Sequence, residues 1–223
     1  MVRPARDSLR FFIVTAYCDT VYSMAVNRHI RLFDSIARPY GWFHRSLTRK
    51  YLDLIHLHLS DIGLSPGSRV LDVGCGPGSF GLAFKRSGFL VEGVDGSSRM
   101  AAIAESNGIE CRVADATENL PYADNSFSMV TAAYVAHGFP SEHRVRFYLE
   151  MNRVASNLVL LHDFSPASGG FPFLSVIGAL ERLEGSDYLG FRRKGLTELE
   201  SIFENVAVLP VDPRVSWYLC RTA

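Results

Sequence analysis

Residues 70–81 read VLDVGCGPGSFG, and the order of residue types in that stretch decides the fold. The apolar run from Val70 to Val73 gives way at once to glycines at 74, 76 and 78, and helix-forming residues follow as far as Arg86. This is the pattern of a strand, a tight turn and a helix. Glycine allows left-handed backbone and close approach to a ligand, and the first turn of the helix offers unpaired N–H groups. Ser79 stands where the third glycine of a G-x-G-x-x-G loop belongs. Asp72 lies two places before the first glycine, and no Lys or Arg occurs from Leu71 to Phe84 to offset it.

Downstream, residues 89–95 (FLVEGVD) predict a strand, 97–106 a helix and 109–114 a strand. Residues 127–134 predict another strand, 141–153 a helix, and 156–162 (SNLVLLH) a buried strand. Strands and helices alternate at short spacing, which implies βαβ units and a mainly parallel sheet. The pattern changes after Asp163. Residues 164–191 are long for a connection, which suggests a lid or substrate wall, with Phe171, Phe173, Leu174, Ile177 and Leu180 giving it an apolar face. A helix follows over 196–204. Strands at 206–211 and 215–220, joined by Asp212-Pro213, predict a terminal hairpin and one antiparallel edge. Upstream, 28–38 and 42–60 read as helices split by Pro39 and Gly41. The expected organisation is an N-terminal helical extension over 1–60 and one α/β domain over 61–223 with the lid-like insertion at about 164–191.

The 223 residues are 48% hydrophobic and 21% charged, a globular composition that excludes global disorder. Basic and acidic residues number 23 each, so the charge does not favour a nucleic-acid partner. Residues 1–60 hold an excess of five positive charges, which reads first as a solvated helix face. Cys18, Cys75, Cys111 and Cys220 are scattered without zinc spacing, which fits reduced thiols and a cytoplasmic setting. Residues 3–18 resemble a signal peptide faintly, but no small-residue cleavage site follows and the apolar run is far too short to span a bilayer. The expectation is that residues 1–23 are dispensable and that Met24 is the start. His56 and His58 sit two apart on a helix and make a poor metal pair, so no metal is expected.

Three consecutive strands each end in an acidic residue: Asp72 before the loop, Asp95 at position 21 after Gly74, and Asp115 next to Ala116. Open α/β sheets bind ligands at that carboxyl edge. A pyrophosphate is repelled by Asp72, whereas a ligand with an ammonium and a cationic sulfur is attracted. S-adenosylmethionine is such a ligand. Asp95 suits its ribose hydroxyls, Asp115 its adenine amino group, and Met100 and Ala116 the faces of the ring.

Residues 69–163 resemble the class I S-adenosylmethionine-dependent methyltransferases, close to the type 11 group. The D-x-G-x-G-x-G loop carries the match, with Asp95 and Asp115-Ala116 at the family's positions. FDSIARPYGWFHR (33–45) looks like the segment before the domain in quinone-biosynthesis and other small-molecule methyltransferases. The resemblance implies a Rossmann-like sheet of seven strands, order 3-2-1-4-5-7-6, with an antiparallel terminal hairpin. It implies a cofactor site built from Tyr40, Asp72, Gly74, Cys75, Gly76, Gly78, Asp95, Gly96, Met100, Asp115, Ala116 and Tyr134. S-adenosylhomocysteine would be the product. Two departures stand out. RVASNLVLLHDF (153–164) lacks the relatives' Lys-Pro-Gly-Gly turn, and TAAYVAHGF (131–139) is no Asn/Asp-Pro-Pro-Tyr motif, which disfavours methylation of base or glutamine amino groups.

Methyl transfer needs alignment and exclusion of water, and a base only where the acceptor must lose a proton. His137 is the best-placed candidate base, with His162 and Asp163 next. Trp42, Phe43, Tyr188 and Phe191 suggest a small-molecule acceptor with an apolar or aromatic part, taken by a monomer or homodimer. Arg192-Arg193-Lys194 would suit an anionic group but read equally as a solvated helix start. Three other readings stay open: an NAD(P)-dependent oxidoreductase, a non-catalytic partner protein that binds the same cofactor, and a methyltransferase acting on tRNA or protein.

Overall fold

The computed structural model describes residues 44–166 and 186–222. The expectations for residues 1–43, including the dispensable start, Tyr40, Trp42 and Phe43, lie outside the described residues, as does most of the lid-like segment. The chain enters with helix α1 (44–57) and a single turn, α2 (Leu59–Ile62). Then come β1 (Arg69–Val73), α3 (Ser79–Arg86), β2 (Leu90–Asp95), α4 (Ser98–Ser106) and β3 (Glu110–Val113). They are followed by β4 (Phe127–Ala133), a 3-10 turn (Ala136–Gly138), α5 (Ser141–Val154) and β5 (Ala155–Phe164). The last elements are α6 (Tyr188–Glu200), β6 (Asn205–Asp212) and β7 (Val215–Arg221).

The seven strands form one sheet in the order β3-β2-β1-β4-β5-β7-β6. Its first five members are parallel, and β7 runs antiparallel to both β5 and β6. Side chains alternate across the central strands, as the pleat requires. Leu71, Val73, Val130, Val159, Leu161 and Tyr218 face one core with α5 and α6. Val70, Met129, Leu158, Leu160 and Trp217 face the other, where α1 and α3 contribute Tyr51, Ile55, Phe80 and Phe84. Both faces are covered, which is why the strands read as continuous apolar runs. Pro210 sits on the edge strand β6, where a missing N–H costs no ladder bond.

Two boundaries differ from expectation. Strand β5 was expected to end at His162, where the apolar run stops; it continues to Phe164, because β7 pairs with it from Leu158 to Phe164. The helix expected over 196–204 starts at Tyr188. Gly190 and Gly195 inside it are packing residues: a Cβ on Gly195 would lie 2.7 Å from the Phe191 ring. The 3-10 turn has no signal in the sequence. It is anchored from outside, by Ser186 Oγ donating to the His137 carbonyl at 3.1 Å and by Asp163.

Arg144 of α5 is fully buried and joins three elements. Its guanidinium donates to both carboxylate oxygens of Glu198 at 2.5 and 2.9 Å and to the Phe139 carbonyl at 2.6 Å, and pairs with Asp187 at 3.3 Å. Burial pushes the Glu198 carboxyl up, but the bonds from Arg144 and Ser141 bring it below its ordinary value. Removing one partner of a buried pair strands the other. Arg144→Met is therefore expected to destabilise the fold by about 3–5 kcal/mol in urea denaturation, and adding Glu198→Leu should recover much of that loss.

Candidate functional site

The loop between β1 and α3 turns on three left-handed glycines, Gly74, Gly76 and Gly78, with φ of +66°, +52° and +80°. The Gly74 and Cys75 N–H groups both donate to the Val94 carbonyl, at 2.8 and 3.1 Å, which clips the loop to the end of β2. Val135 lies directly over Gly74, so that a Cβ there would sit 2.6 Å from Val135 Cγ2. The sequence assigned Gly74 to backbone approach by a ligand; its nearest demand is this contact with Val135. At Gly76 a Cβ would meet nothing within 4 Å, so the loop opens outward at that residue.

Asp72 lies beneath the loop, 1% exposed. Its Oδ2 accepts the Gly81 N–H of α3 at 2.8 Å, and its Oδ1 finds no hydrogen-bond partner among the described residues. Burial pushes its carboxyl up to about 7, against the Gly81 bond and with help from the charge of Asp95. Asp95, at the end of β2, accepts the Gly76 N–H on Oδ2 and the Ser97 N–H on Oδ1, each at 2.8 Å. Ser97 in turn caps α4 through the Met100 N–H. Asp95 therefore shapes the loop as well as bordering it. Asp115 accepts both the N–H and the hydroxyl of Thr117 on Oδ1, at 2.8 Å each, and the neighbouring Ala114 N–H donates to the Asp95 carbonyl. Asp72, Asp95, Gly96, Asp115 and Ala116 thus meet at the carboxyl edge of the sheet, around the glycine loop. Met100 is buried under that edge, at 2% exposure.

The side chain of Cys75 points away from the loop. Its Sγ lies 3.3 Å from Cys111 Sγ, in space that Gly93 leaves open. The hydrogen bond with Cys111 and burial push the Cys75 thiol well above its ordinary value. Only its backbone belongs to the loop. His44, the first described residue, bonds Ser79 at the start of α3 through Nδ1 at 2.8 Å. Burial, then Arg86 and Arg45, hold its imidazole below the ordinary value. The sequence reading missed His44 and Val135, because both reach the loop through the fold: Ser79 lies 35 residues after His44.

The residues considered for acceptor chemistry separate clearly. His162 faces the α1 side, between the rings of Tyr51 and Phe80. Its Nδ1 accepts the Trp217 indole N–H at 2.8 Å, and burial holds its imidazole down at about 4. It is a neutral core residue at physiological pH. His137 and Asp163 lie on the other side, with Nδ1 and Oδ1 2.8 Å apart and both residues buried. Tyr134 follows β4 in left-handed backbone, φ +57°, and donates its N–H to the His162 carbonyl. Its ring stands edge-on to Phe164 at 5.5 Å and lies nearer to His162, at 5.0 Å, than to His137, at 6.3 Å; Tyr188 packs on the same Phe164. Phe191, expected in the acceptor pocket, is instead buried in the core against Tyr218. Arg192 donates to the Ser165 carbonyl and to the Tyr188 hydroxyl. Among the described residues no three His, Cys, Asp or Glu cluster as metal ligands, and no helix is long and apolar enough to cross a membrane.

A family model described as a methyltransferase domain matches residues 70–157. A demethylmenaquinone methyltransferase of Thermotoga maritima is 34% identical over 128 residues, 52% of this chain and 52% of its own. An uncharacterized methyltransferase of Bacillus subtilis, YcgJ, is 32% identical over 145 residues, 60% of this chain and 54% of its own. A mouse protein bearing the name probable tRNA methyltransferase 9B is 37% identical over 90 residues, 40% of this chain and 20% of its own. The chain spans about half the length of the first two relatives. Among solved structures, magnesium protoporphyrin IX methyltransferase from Synechocystis PCC 6803 with bound S-adenosylhomocysteine shares the fold. Its TM-score is 0.57 at 19% identity, over 80% of this chain and 84% of that one. The chain thus joins a methyltransferase-domain match over residues 70–157 to the D-x-G-x-G-x-G loop and the strand order 3-2-1-4-5-7-6, and in these it is similar to the class I S-adenosylmethionine-dependent methyltransferases of the type 11 group.

Proposed function

We infer that this protein transfers a methyl group from S-adenosylmethionine to a small-molecule acceptor with an apolar or aromatic part. One observation carries the reading: a buried carboxylate oxygen of Asp72 without a partner among the described residues lies under a loop that opens outward at Gly76. A buried carboxylate is costly unless a cation or hydrogen-bond donor meets it. An ammonium group supplies both, and a pyrophosphate supplies neither, so a dinucleotide does not fit. Asp72 and the loop N–H groups would hold the amino-acid end, Asp95 the ribose hydroxyls, and Asp115 with Ala116 the adenine edge. The bound cofactor supplies a methyl group on positively charged sulfur. The chain's own part is to align the acceptor with it and keep water out. The aromatic wall of Tyr134, Phe164 and Tyr188 supports an acceptor with a flat apolar portion. The buried thiols of Cys75, Cys111 and Cys220, none of them in a disulfide, support a cytoplasmic setting.

A tRNA acceptor is the second reading, favoured by the relative of that name. A salt-sensitive gel shift with tRNA would move it to first place.

Calorimetric titration is expected to show micromolar binding of S-adenosylhomocysteine and none of NADH; binding of NADH alone would overturn the reading. Asp95→Ala should weaken the binding of S-adenosylhomocysteine by roughly 1–3 kcal/mol, through lost charge-assisted bonds. Gly76→Val should fold, with a left-handed backbone cost of about 1–2 kcal/mol, yet lose binding because its side chain fills the open side of the loop. Asp72 carries a pH signature. Its carboxyl is raised from 3.8 to about 7, so its contribution to stability is full below the lower value and is lost as pH rises through the higher one. An arriving ammonium reverses this by favouring the carboxylate. Titration near pH 7 in buffers of different ionisation enthalpy should therefore show proton release on binding, and Asp72→Asn should abolish it.

A further inference from the structure

The methyl-transfer reading leaves the chemical class of the acceptor open, and Arg192 of α6 speaks to it. Four of the described arginines are buried or half-buried: Arg144, Arg153, Arg192 and Arg221. Arg144 and Arg153 each spend both terminal amino groups and each hold two carboxylates, Glu198 and Asp187 for the first, Glu150 and Asp124 for the second. Arg221 gives Nη1 to the Asn157 side chain and Nη2 to the Asp61 and Ile62 carbonyls. Arg192 donates from Nε to the Ser165 carbonyl at 3.2 Å and from Nη1 to the Tyr188 hydroxyl at 3.3 Å, and neither partner is a carboxylate. Its Nη2 amino group has no partner among the described residues. The neighbouring acid on β5, Asp163, is committed to His137 and to the Phe164 N–H. A guanidinium keeps its charge in a protein, and drawing it half out of water is costly unless an anion meets it.

Its position ties that charge to the aromatic wall. Tyr188 and Arg192 lie one helical turn apart on the same face of α6, with the guanidinium carbon 5.7 Å from the centre of the Tyr188 ring. Tyr188 stands edge-on to Phe164, centroids 4.6 Å apart, and Phe164 edge-on to Tyr134 at 5.5 Å. Val135, next to Tyr134, touches Gly74. A row of side chains thus runs from the glycine loop to Arg192, aromatic along its length and cationic at its outer end. Tyr134 is exposed, and Phe164, Tyr188 and Arg192 are half-buried. Arg193 and Lys194 are exposed and, one and two positions further on, leave that face of the helix. Of the three basic residues in this run, those two form the solvated surface and Arg192 belongs to the wall.

We propose that Arg192 binds a carboxylate on the acceptor, so that the substrate class is a flat aromatic acid. The planar N–H donors of a guanidinium match the oxygens of a carboxylate. Its single charge also balances a carboxylate, whereas a phosphate carries about −1.5 to −2 and calls for more than one cation. The ring of the acceptor lies along Phe164 and Tyr188, and its carboxylate meets the Nη2 amino group. Arg192 holds the acceptor in place and breaks no bond. The proposal rests on the methyl-transfer reading and deepens it.

The probes are cinnamate and its neutral near-isostere cinnamamide, titrated calorimetrically into the full chain saturated with S-adenosylhomocysteine. The wild type should bind the acid at least about tenfold more tightly than the amide, and added salt should narrow the gap. Arg192→Gln should make the two affinities equal, and Arg192→Lys should restore part of the preference. Acid and amide are compared in the same protein, so a loosened fold lowers both alike and does not move their ratio. The wild type also carries a test independent of any variant: cinnamate, and not cinnamamide, should protect Arg192 from modification by phenylglyoxal, read by peptide mass spectrometry. In protein that binds S-adenosylhomocysteine, an acid bound no better than its amide, a preference that survives Arg192→Gln, or Arg192 modified alike beside either compound overturns the assignment and leaves the methyl-transfer reading standing. Failure of the wild type to bind S-adenosylhomocysteine overturns that reading itself.

Discussion

The bond from the Gly81 N–H to the buried Asp72 carboxylate, at 2.8 Å, ties β1, the middle of the five parallel strands, to the helix that follows it. The chain between the two must turn within a few residues, and it does so on three left-handed glycines. No side chain larger than hydrogen fits at Gly74, because Val135 from the end of β4 lies on it. At Gly81 a Cβ would sit 3.0 Å from Asp72 Oδ2, so that position is held small as well. The loop is thus closed from below by Asp72, from the side by the Val94 carbonyl and the Asp95 carboxylate, and from β4 by Val135. Gly76 is where it stays open.

That closure explains the charge of the site. Asp72 and Asp95 are close enough for each charge to be felt by the other, with no Lys or Arg in the loop between β1 and α3. Taking a carboxylate out of water is unfavourable unless donors or cations compensate, and one backbone N–H is weak compensation. The fold tolerates this cost beneath a loop that opens outward at Gly76. The neighbouring Cys75 thiol adds no charge there, since burial and its bond to Cys111 push it well above its ordinary value.

The far end of the sheet follows another rule. Strand β5 carries His162 and Asp163 inside the fold, on opposite faces of the pleat. Each polar group is buried because the neighbouring element brings it a partner: Trp217 of β7 for His162, and His137 of the 3-10 turn for Asp163. Arg144 does the same for α5 and α6 through Glu198. These pairs add specificity to packing that apolar residues alone would leave less defined.

The alternation of apolar strands with helices, the glycine turn and three strand-end aspartates could be read along the chain, because each is a local pattern of period two, period 3.6 or left-handed turn. Asp72, Gly76, Asp95 and Asp115 were legible for that reason. His44 on Ser79, Val135 on Gly74 and Asp163 on His137 were not, since each joins residues 26 to 61 positions apart that meet only when the sheet has formed. The start of α6 at Tyr188 was not legible either: the glycines at 190 and 195 lie inside the helix, where a missing side chain makes room for Asp187 and Phe191. Local order thus follows from residue type, through backbone freedom and side-chain periodicity. Which of two adjacent polar residues on β5 meets Trp217 and which meets His137 follows from the pleat and from the partner across it, and those exist only in the folded sheet.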